Sequence, residues 1–301
     1  MSRSGRGNNI HGIVLLDKPA GRSSNHALGD VKRLFHANKA GHTGSLDPFA
    51  TGMLPICFGE ATKTAGFMLD SDKSYLATAK LGVATSTGDV EGEVIQEMEV
   101  PSVSSSEIQE VLSGLTGEID QVPPMYSALK HEGQPLYKLA REGREVERKA
   151  RRITIHELTL ESWEPPLLTF RVVCSKGTYV RTLAEDLAKL LGSCAHLVSL
   201  RRLFVLPFNP EAMVTMDDLG TAREDNRLED LLLPVDAGLQ GWPKIEITPG
   251  QVARFVNGNP VIVDSKETEL VRVYDQEGKM LGLAESRPDG QAHPKRLFLL
   301  D

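Results

Sequence analysis

Almost every apolar run in these 301 residues has the length of a β-strand, which limits the chain to a sheet-based globular fold. The runs are IHGIVLL (10–16), SYLATAKLGV (74–83), RITIHELTLESW (152–163), LLTFRVVCS (167–175) and HLVSLRRLFVL (196–206). None approaches the roughly 18 residues of a membrane-crossing helix, so no membrane span is expected. In the second run, Tyr75, Ala77, Ala79 and Leu81 share one face, and Leu76 and Thr78 share the other. Helical spacing appears between the strands. Ala27, Leu28, Val31, Leu34 and Phe35 form a stripe behind a cap at Ser23 or Ser24. EATKTAGFML (60–69) reads as a short helix, and SSSEIQEVLSGL (104–115) turns Ile108, Val111, Leu112 and Leu115 inward. After SKG, a helix starting near Tyr179 carries Leu183, Leu187, Leu190 and Leu191. KAGHTGSLDPFATG (39–52) is expected to be loop, and 216–243 a loop-rich, acidic end to the first unit. Beyond Trp242 only short strands are expected: KIEIT, PVIVD, ELVRVYD, KMLGLAES and KRLFLLD, a small β-barrel of about 60 residues.

The formal net charge is −7, which taken whole argues against nucleic acid as a partner. Its distribution argues the other way. Residues 1–84 are net +4 and 122–202 net +5, whereas 85–121 hold nine acids and no base, and 203–301 are net −7. A polyanion senses the field within a Debye length of about 8–10 Å, not the total. Cys57, Cys174 and Cys194 are too dispersed for a disulfide framework or a CxxC metal site. They fit three small buried hydrophobes in a reducing cytoplasm. No apolar core follows the basic residues of MSRSGRGNNIHG, so no secretory leader is expected there.

Four segments carry chemistry. GHTGSLDPFATG (41–52) puts one carboxylate, Asp47, in a glycine-rich loop beside His42, and Pro48 biases Asp47 to extended torsions. An isolated Asp-Pro is ordinarily a turn, and the loop lacks the GK[ST] ending of a phosphate cradle. SKGTYVRTL (175–183) places Arg181 in the first turn of a helix, where the dipole disfavours a cation. Arg181 therefore calls for an anionic partner unless solvent alone satisfies it. DSDKSYLATAKLG (70–82) starts a strand with Tyr75, which is otherwise a core aromatic. PPMYSALKHEGQPLYKLAREG (123–143) alternates Tyr with Lys/Arg, a pattern suited to base stacking and phosphate contact, or to a solvated hairpin.

In order, DKPAGRSS, AGHTGSLDPFATGMLPICFGEATK, DSDKSYLATAKLG, PPMYSALKHEGQPLYKLAREG, CSKGTYVRTLAEDL and GSCAHLVSLRR resemble the TruB family of tRNA pseudouridine-55 synthases, in its bacterial form. The likeness covers about residues 10–205, and the β tail fits that family's C-terminal PUA-like domain. It implies an α+β fold with a mixed, largely antiparallel central sheet flanked by helices and an RNA cleft across the sheet. It implies a catalytic domain at 1–241, with 123–152 as an RNA-binding flap, and a PUA-like domain at 242–301. The implied activity is isomerisation of uridine to pseudouridine at position 55 in the tRNA T loop, with the base flipped from its stack. Asp47 is then the nucleophile, Arg181 its ion-pair partner, and Tyr75 the ring stacked on the target base. Tyr179 and Leu200 contact the flipped uridine, His42 lies against nucleotides near the vacated position, and Lys18 helps hold the active-site loop or RNA.

Elementary chemistry agrees with those roles. The isomerisation breaks an N-glycosidic bond, turns the base and joins C5 to the sugar, which calls for neither metal nor redox cofactor. A guanidinium within about 4–6 Å lowers a carboxyl pKa by roughly 1–3 units and keeps a buried nucleophile ionised. Flipping a base costs a few kcal/mol, part of which an aromatic face returns. Two other readings remain: a non-catalytic RNA-binding or RNA-folding module, and a synthase guided to ribosomal RNA within a ribonucleoprotein. Asp47, Tyr75 and Arg181 together weigh against the first. The lack of long partner-binding tails weighs against the second, so a cytoplasmic monomer with no obligate protein partner is expected.

Overall fold

The strand-length runs become strands, and the turn residues between them decide their order. The computed structural model describes residues 7–265 and 267–300; residues 1–6 of the basic start and Lys266 of the tail lie outside them. Strand β1 (Gly12–Lys18) leads to helix α1 (Ser24–Leu34), capped by Ser23, whose side chain accepts from the His26 amide. Strands β2 (Ala40–His42) and β3 (Thr51–Phe58) flank the glycine-rich turn. Then come α2 (Ala65–Leu69), β4 (Lys73–Leu81), the hairpin β5 (Val83–Thr85) and β6 (Val94–Glu97), and α3 (Ser105–Gly114). Strand β7 (Gly117–Gln121) precedes the flap, where β8 (Lys130–His131), β9 (Gln134–Pro135) and α4 (Leu136–Arg141) form a small hairpin and helix. The domain continues with β10 (Arg151–Glu164), β11 (Leu167–Cys174), α5 (Val180–Leu190), β12 (Ala195–Val205) and α6 (Met216–Glu224). The tail holds β13 (Lys244–Glu246), α7 (Pro249–Val256), β14 (Val261–Ile262), β15 (Glu269–Tyr274), β16 (Met280–Arg287) and β17 (Gln291–Leu297).

The central sheet runs β1-β3-β12-β4-β11-β10-β7, with β2 on the side of β3. Every pairing in it is antiparallel except β12 with β3. It is the mixed, largely antiparallel sheet expected. Helices α3 and α5 cover one face through Ile108, Leu112, Leu183 and Leu187, packed on Ala77, Phe170 and Leu197. Helix α1 packs Ala27 and Val31 on Val14, Leu16, Leu54 and Ile56, with Leu219 of α6 beside them. The tail folds as a curled five-stranded sheet in the order β13-β15-β16-β17-β14.

Several local expectations change. Residues 40–42 and 51–52, read as loop, are strand; β3 is buried on both faces, so it shows no polar alternation to announce it. Residues 60–69 split into a 3₁₀ turn and the short α2. Leu190 does not join the stripe of α5 and is 60% exposed, because Leu183, Leu187 and Leu191 already repeat at four-residue steps and Leu190 sits about 100° away. The acidic stretch from 216 contains a helix, α6, because Thr215 and Asp218 form a reciprocal capping box and acids in a first turn suit the dipole. The tail is not strands alone. Thr248 and Gln251 cap α7 in the same way, with Pro249 opening the helix, and the last strand ends at Leu297, leaving 298–300 outside it, while Asp301 lies outside the described residues. All three cysteines are buried, and burial pushes the Cys57 thiol up to about 12 and that of Cys174 to about 11.

The tail shares a core with the central sheet. Met280, Leu283 and Phe298 pack with Ile13, Leu15, Met53 and Val205. Lys63 Nζ donates to the Leu297 carbonyl (2.7 Å), and the Leu299 amide donates to Glu60 (2.9 Å). Arg272 binds Asp236 at 2.7 Å and reaches the Trp242 carbonyl (3.1 Å). Phe298→Ala should therefore cost about 3–5 kcal/mol, as a truncated core aromatic does, and shift one common unfolding transition. Urea unfolding followed by fluorescence and far-UV dichroism checks this; two separated transitions would show that the tail melts alone.

Candidate active site

The glycine-rich turn is held from both sides of Asp47. On one side, the Leu46 amide donates to Ser24 Oγ (2.7 Å), which donates in turn to the Leu46 carbonyl (3.0 Å), tying the turn to the start of α1. On the other, the Pro48 carbonyl accepts from the Gly21 amide (2.9 Å) and from Lys18 Nζ (3.2 Å). Lys18 is fully buried and also donates to the carbonyls of Pro19 (2.8 Å) and Arg22 (2.6 Å). Burial pulls its ammonium down to about 8, against the attraction of Asp47. Gly52, at φ +100°, lets β3 press against β12: a Cβ there would stand 2.2 Å from the Arg202 carbonyl oxygen.

Arg181 reaches Asp47 with two arms. Its Nε lies 2.9 Å from Oδ2, and its Nη2 donates to Oδ1 at 3.3 Å. The same guanidinium donates to the carbonyls of Thr87 (2.7 Å) and Tyr126 (2.8 Å) and lies 3.6 Å from Asp89. Two carboxylates and two carbonyls thus offset the unfavourable helix position. Asp47 keeps 35% of its side-chain surface open although protein surrounds it on the other sides. Burial pushes its carboxyl above the usual range, Arg181 pulls it back, Asp89 pushes up and Lys18 pulls down.

The remaining predicted residues converge on this carboxylate to different degrees. Tyr75, on β4, is nearly buried and stands opposite Val172 of β11 and Arg202 of β12. Burial pushes its phenol up, and the Arg202 cation opposes the rise. Leu200 pairs with Ala77 and joins one apolar cluster with Tyr75, Leu46, Ala50 and Val180. Tyr179 caps α5 two residues before Arg181. Its amide donates to Gln121 Oε1 (2.8 Å), and its carbonyl accepts from Gln121 Nε2 (3.2 Å). His42 ends β2, half-buried, with its Nδ1 unpartnered, and burial then the Arg202 charge hold its imidazole below the usual value. Among the described residues no cluster of His, Cys, Asp and Glu could hold a metal ion.

Sequence reasoning missed four participants. Thr87 and Asp89 sit in the acidic insert, where TSTGD reads only as a turn. Gln121 is a buried amide closing β7. Arg202 is buried within β12, directly after the half-exposed Arg201, and nothing in the local pattern tells the two arginines apart. In the flap, Arg144, Arg148 and Arg152 pair with Glu142, Glu145 and Glu118/Asp120. Lys130, Lys138, Arg141, Lys149 and Arg151 are exposed and make no ion pair among the described residues.

Comparison with known proteins follows the same outline. The family described as "TruB family pseudouridylate synthase (N terminal domain)" matches residues 32–180. "tRNA pseudouridylate synthase B C-terminal domain" matches 181–240, and "Pseudouridine synthase II TruB, C-terminal" matches 243–298. The chain is 47% identical over 293 residues to tRNA pseudouridine synthase B of Pseudomonas aeruginosa (strain UCBPP-PA14), covering 96% of each. It is 48% identical over 305 residues to the protein of that name from Yersinia pestis (strain Pestoides F), covering 98% of this chain and 94% of that one. Its fold is similar to a chain in the "Structure of H/ACA RNP bound to a substrate RNA containing 2'-deoxyuridine". There the TM-score is 0.74 and the identity 22%, over 96% of this chain and 86% of that one. With nearly half of its residues shared along almost its whole length, this chain belongs to the TruB family of pseudouridine synthases.

Proposed function

We propose that this chain isomerises uridine to pseudouridine in tRNA, at position 55 of the T loop, with Asp47 as nucleophile. The observation that carries this reading is the two-armed hold of Arg181 on the half-open carboxylate of Asp47. The names of the relatives supply the substrate class. Attack on C1′, attack on the ring and assistance to glycal formation all require the carboxylate charged and aimed. Burial alone would protonate it; Arg181 supplies the opposing field and the aim. The half-open carboxylate leaves room for a flipped base, with Tyr75 and Leu200 on the adjoining sheet face. The Tyr75 phenol, pushed up by burial, is a neutral stacking surface rather than an unaided acceptor for the C5 proton. The half-buried His42 ring, with Nδ1 unpartnered, is suited to lie against RNA as a neutral group. A monomer acting in the cytoplasm, where tRNA is found, completes the reading; no helix among the described residues is long and apolar enough to cross a membrane. Release of label from C5-tritiated uridine in a tRNA transcript tests the activity, and the mass in solution tests the monomer.

Four outcomes are expected. Asp47→Asn should abolish product while leaving tRNA affinity within about tenfold, since phosphate contacts dominate affinity. In the wild type, single-turnover rate should fall as pH drops through a carboxyl pKa displaced above the ordinary 3.8, because the protonated acid cannot attack. Turnover by a pure Asp47→Asn preparation would remove the residue from its role.

Arg181→Lys keeps the charge and loses the planar fork. The rate should drop on the order of a hundredfold at every pH from 5 to 9, because about 1 Å of misplacement costs that much. Recovery on raising the pH would mean that ionisation, not aim, was lost.

If the flap tracks the RNA backbone, neutralising Lys130, Lys138, Arg141 and Lys149 should flatten the slope of log affinity against log salt. About 0.7–0.9 should go with each lost phosphate contact. A slope equal to that of the wild type would make the segment a solvated face.

A further inference from the structure

Arg202 is 1% exposed and is among the largest fully buried side chains of the described residues. Buried cations are normally paired, as Arg181 is with Asp47, and the half-exposed Arg201 next in sequence binds Asp17 at 2.7 Å. Arg202 makes no ion pair among the described residues. Its Nε donates to the Met53 carbonyl (2.7 Å) and its Nη2 to the Gly44 carbonyl (3.1 Å). Those two carbonyls bracket the turn that carries Asp47, one three residues before it and the other six residues after. Strand β12 lies between β3 and β4, with Arg202 in register with Gly52 on one side and Tyr75 on the other. Leaving a guanidinium in the interior without a carboxylate costs several kcal/mol, whereas an aliphatic side chain there would cost none of it. A requirement for packing alone does not account for the residue.

We infer that Arg202 is a positioning residue that locks both ends of the Asp47 turn at a fixed distance from Tyr75. The inference rests on the proposed isomerase reading for its kinetic consequence, and on the two carbonyl contacts for its geometry. Arg202 is shielded from the cleft, so it acts through the turn and the ring and not on the substrate. Its charge reaches the whole floor of the site: it helps hold Lys18, His42 and Lys73 low and opposes the rise of Tyr75. Gly44, at φ +78°, brings its carbonyl to the fork, and a Cβ on it would stand 3.5 Å from Arg202 Nη1.

The test uses the full chain with Arg202→Met and Arg202→Lys, the second keeping the charge and a single donor head without the fork. At saturating tRNA, single-turnover rate should fall about a hundredfold for Met and about tenfold for Lys, with RNA affinity within about threefold of wild type. Independently of turnover, hydrogen exchange should quicken in peptides covering residues 43–53 in both variants, while β10 and β11 keep wild-type protection. If the Met variant does not fold, the Lys variant decides alone. Wild-type rates at saturating tRNA, a loss confined to affinity, or unchanged exchange in the turn would overturn the inference. Absence of pseudouridine with the wild-type protein would instead overturn the proposed function, and the exchange measurement would still judge Arg202.

Discussion

The ion pair between Asp47 and Arg181 holds a half-open carboxylate against a buried guanidinium, and the surrounding segments are arranged around it. At about 4 Å and an effective dielectric near 20, unit charges attract by about 4 kcal/mol. Desolvating two such ions costs several kcal/mol each, so the pair adds little to folding. Its other contacts decide its form. Thr87, Tyr126 and Asp89 occupy the remaining arms of Arg181, which fixes the guanidinium before any substrate arrives. Those partners come from the acidic hairpin and from the segment after β7, while Asp47 comes from the glycine-rich turn. Three segments far apart in sequence therefore meet at one side chain of α5, and the sheet order places them there.

The electrostatic layout separates two tasks. Inside the site, Lys18, Lys73 and Arg202 are buried cations whose donors go to backbone carbonyls. They shape loops and set the field around Asp47 and Tyr75. Outside, the exposed basic residues between 130 and 151 make no ion pair among the described residues, next to three arginines already neutralised by glutamate or aspartate. The count of eight basic residues from 130 to 152 thus overstates the charge on offer. A net −7 chain can meet a polyanion because the acids gather in the insert and the tail, away from these cations in sequence.

Most of the sheet was legible because its strands alternate: Tyr75, Ala77, Ala79 and Leu81 are all buried, as their period of two requires. Strand β3 was illegible for the opposite reason, since it is buried on both faces and interrupted by Pro55. Helices α6 and α7 were missed although each carries a capping box, because their apolar stripes are short and their charge or turn residues dominate the local pattern. Asp47 and Arg181 were found by local oddity: a carboxylate among glycines and a cation where a helix dipole repels it. Asp89, Gln121 and Arg202 carry no such local mark. Their roles depend on which strands lie side by side, and that is decided by packing.

The tail shows what its position in sequence conceals. Its composition is acidic and strand-rich, which reads as a separate module hung behind Trp242. Yet Met280, Leu283 and Phe298 complete the core under β1, β3 and β12, the strands that end at Lys18, begin at Thr51 and carry Arg202. Trp242 meets Phe67 edge-on at 4.8 Å, so the junction itself is packed. Strands β1 and β3 hold the base of the Asp47 turn, and a core that stiffens them stiffens the turn. The tail therefore supports the Asp47 turn from behind the sheet, a contribution that its charge and its distance in sequence both disguise.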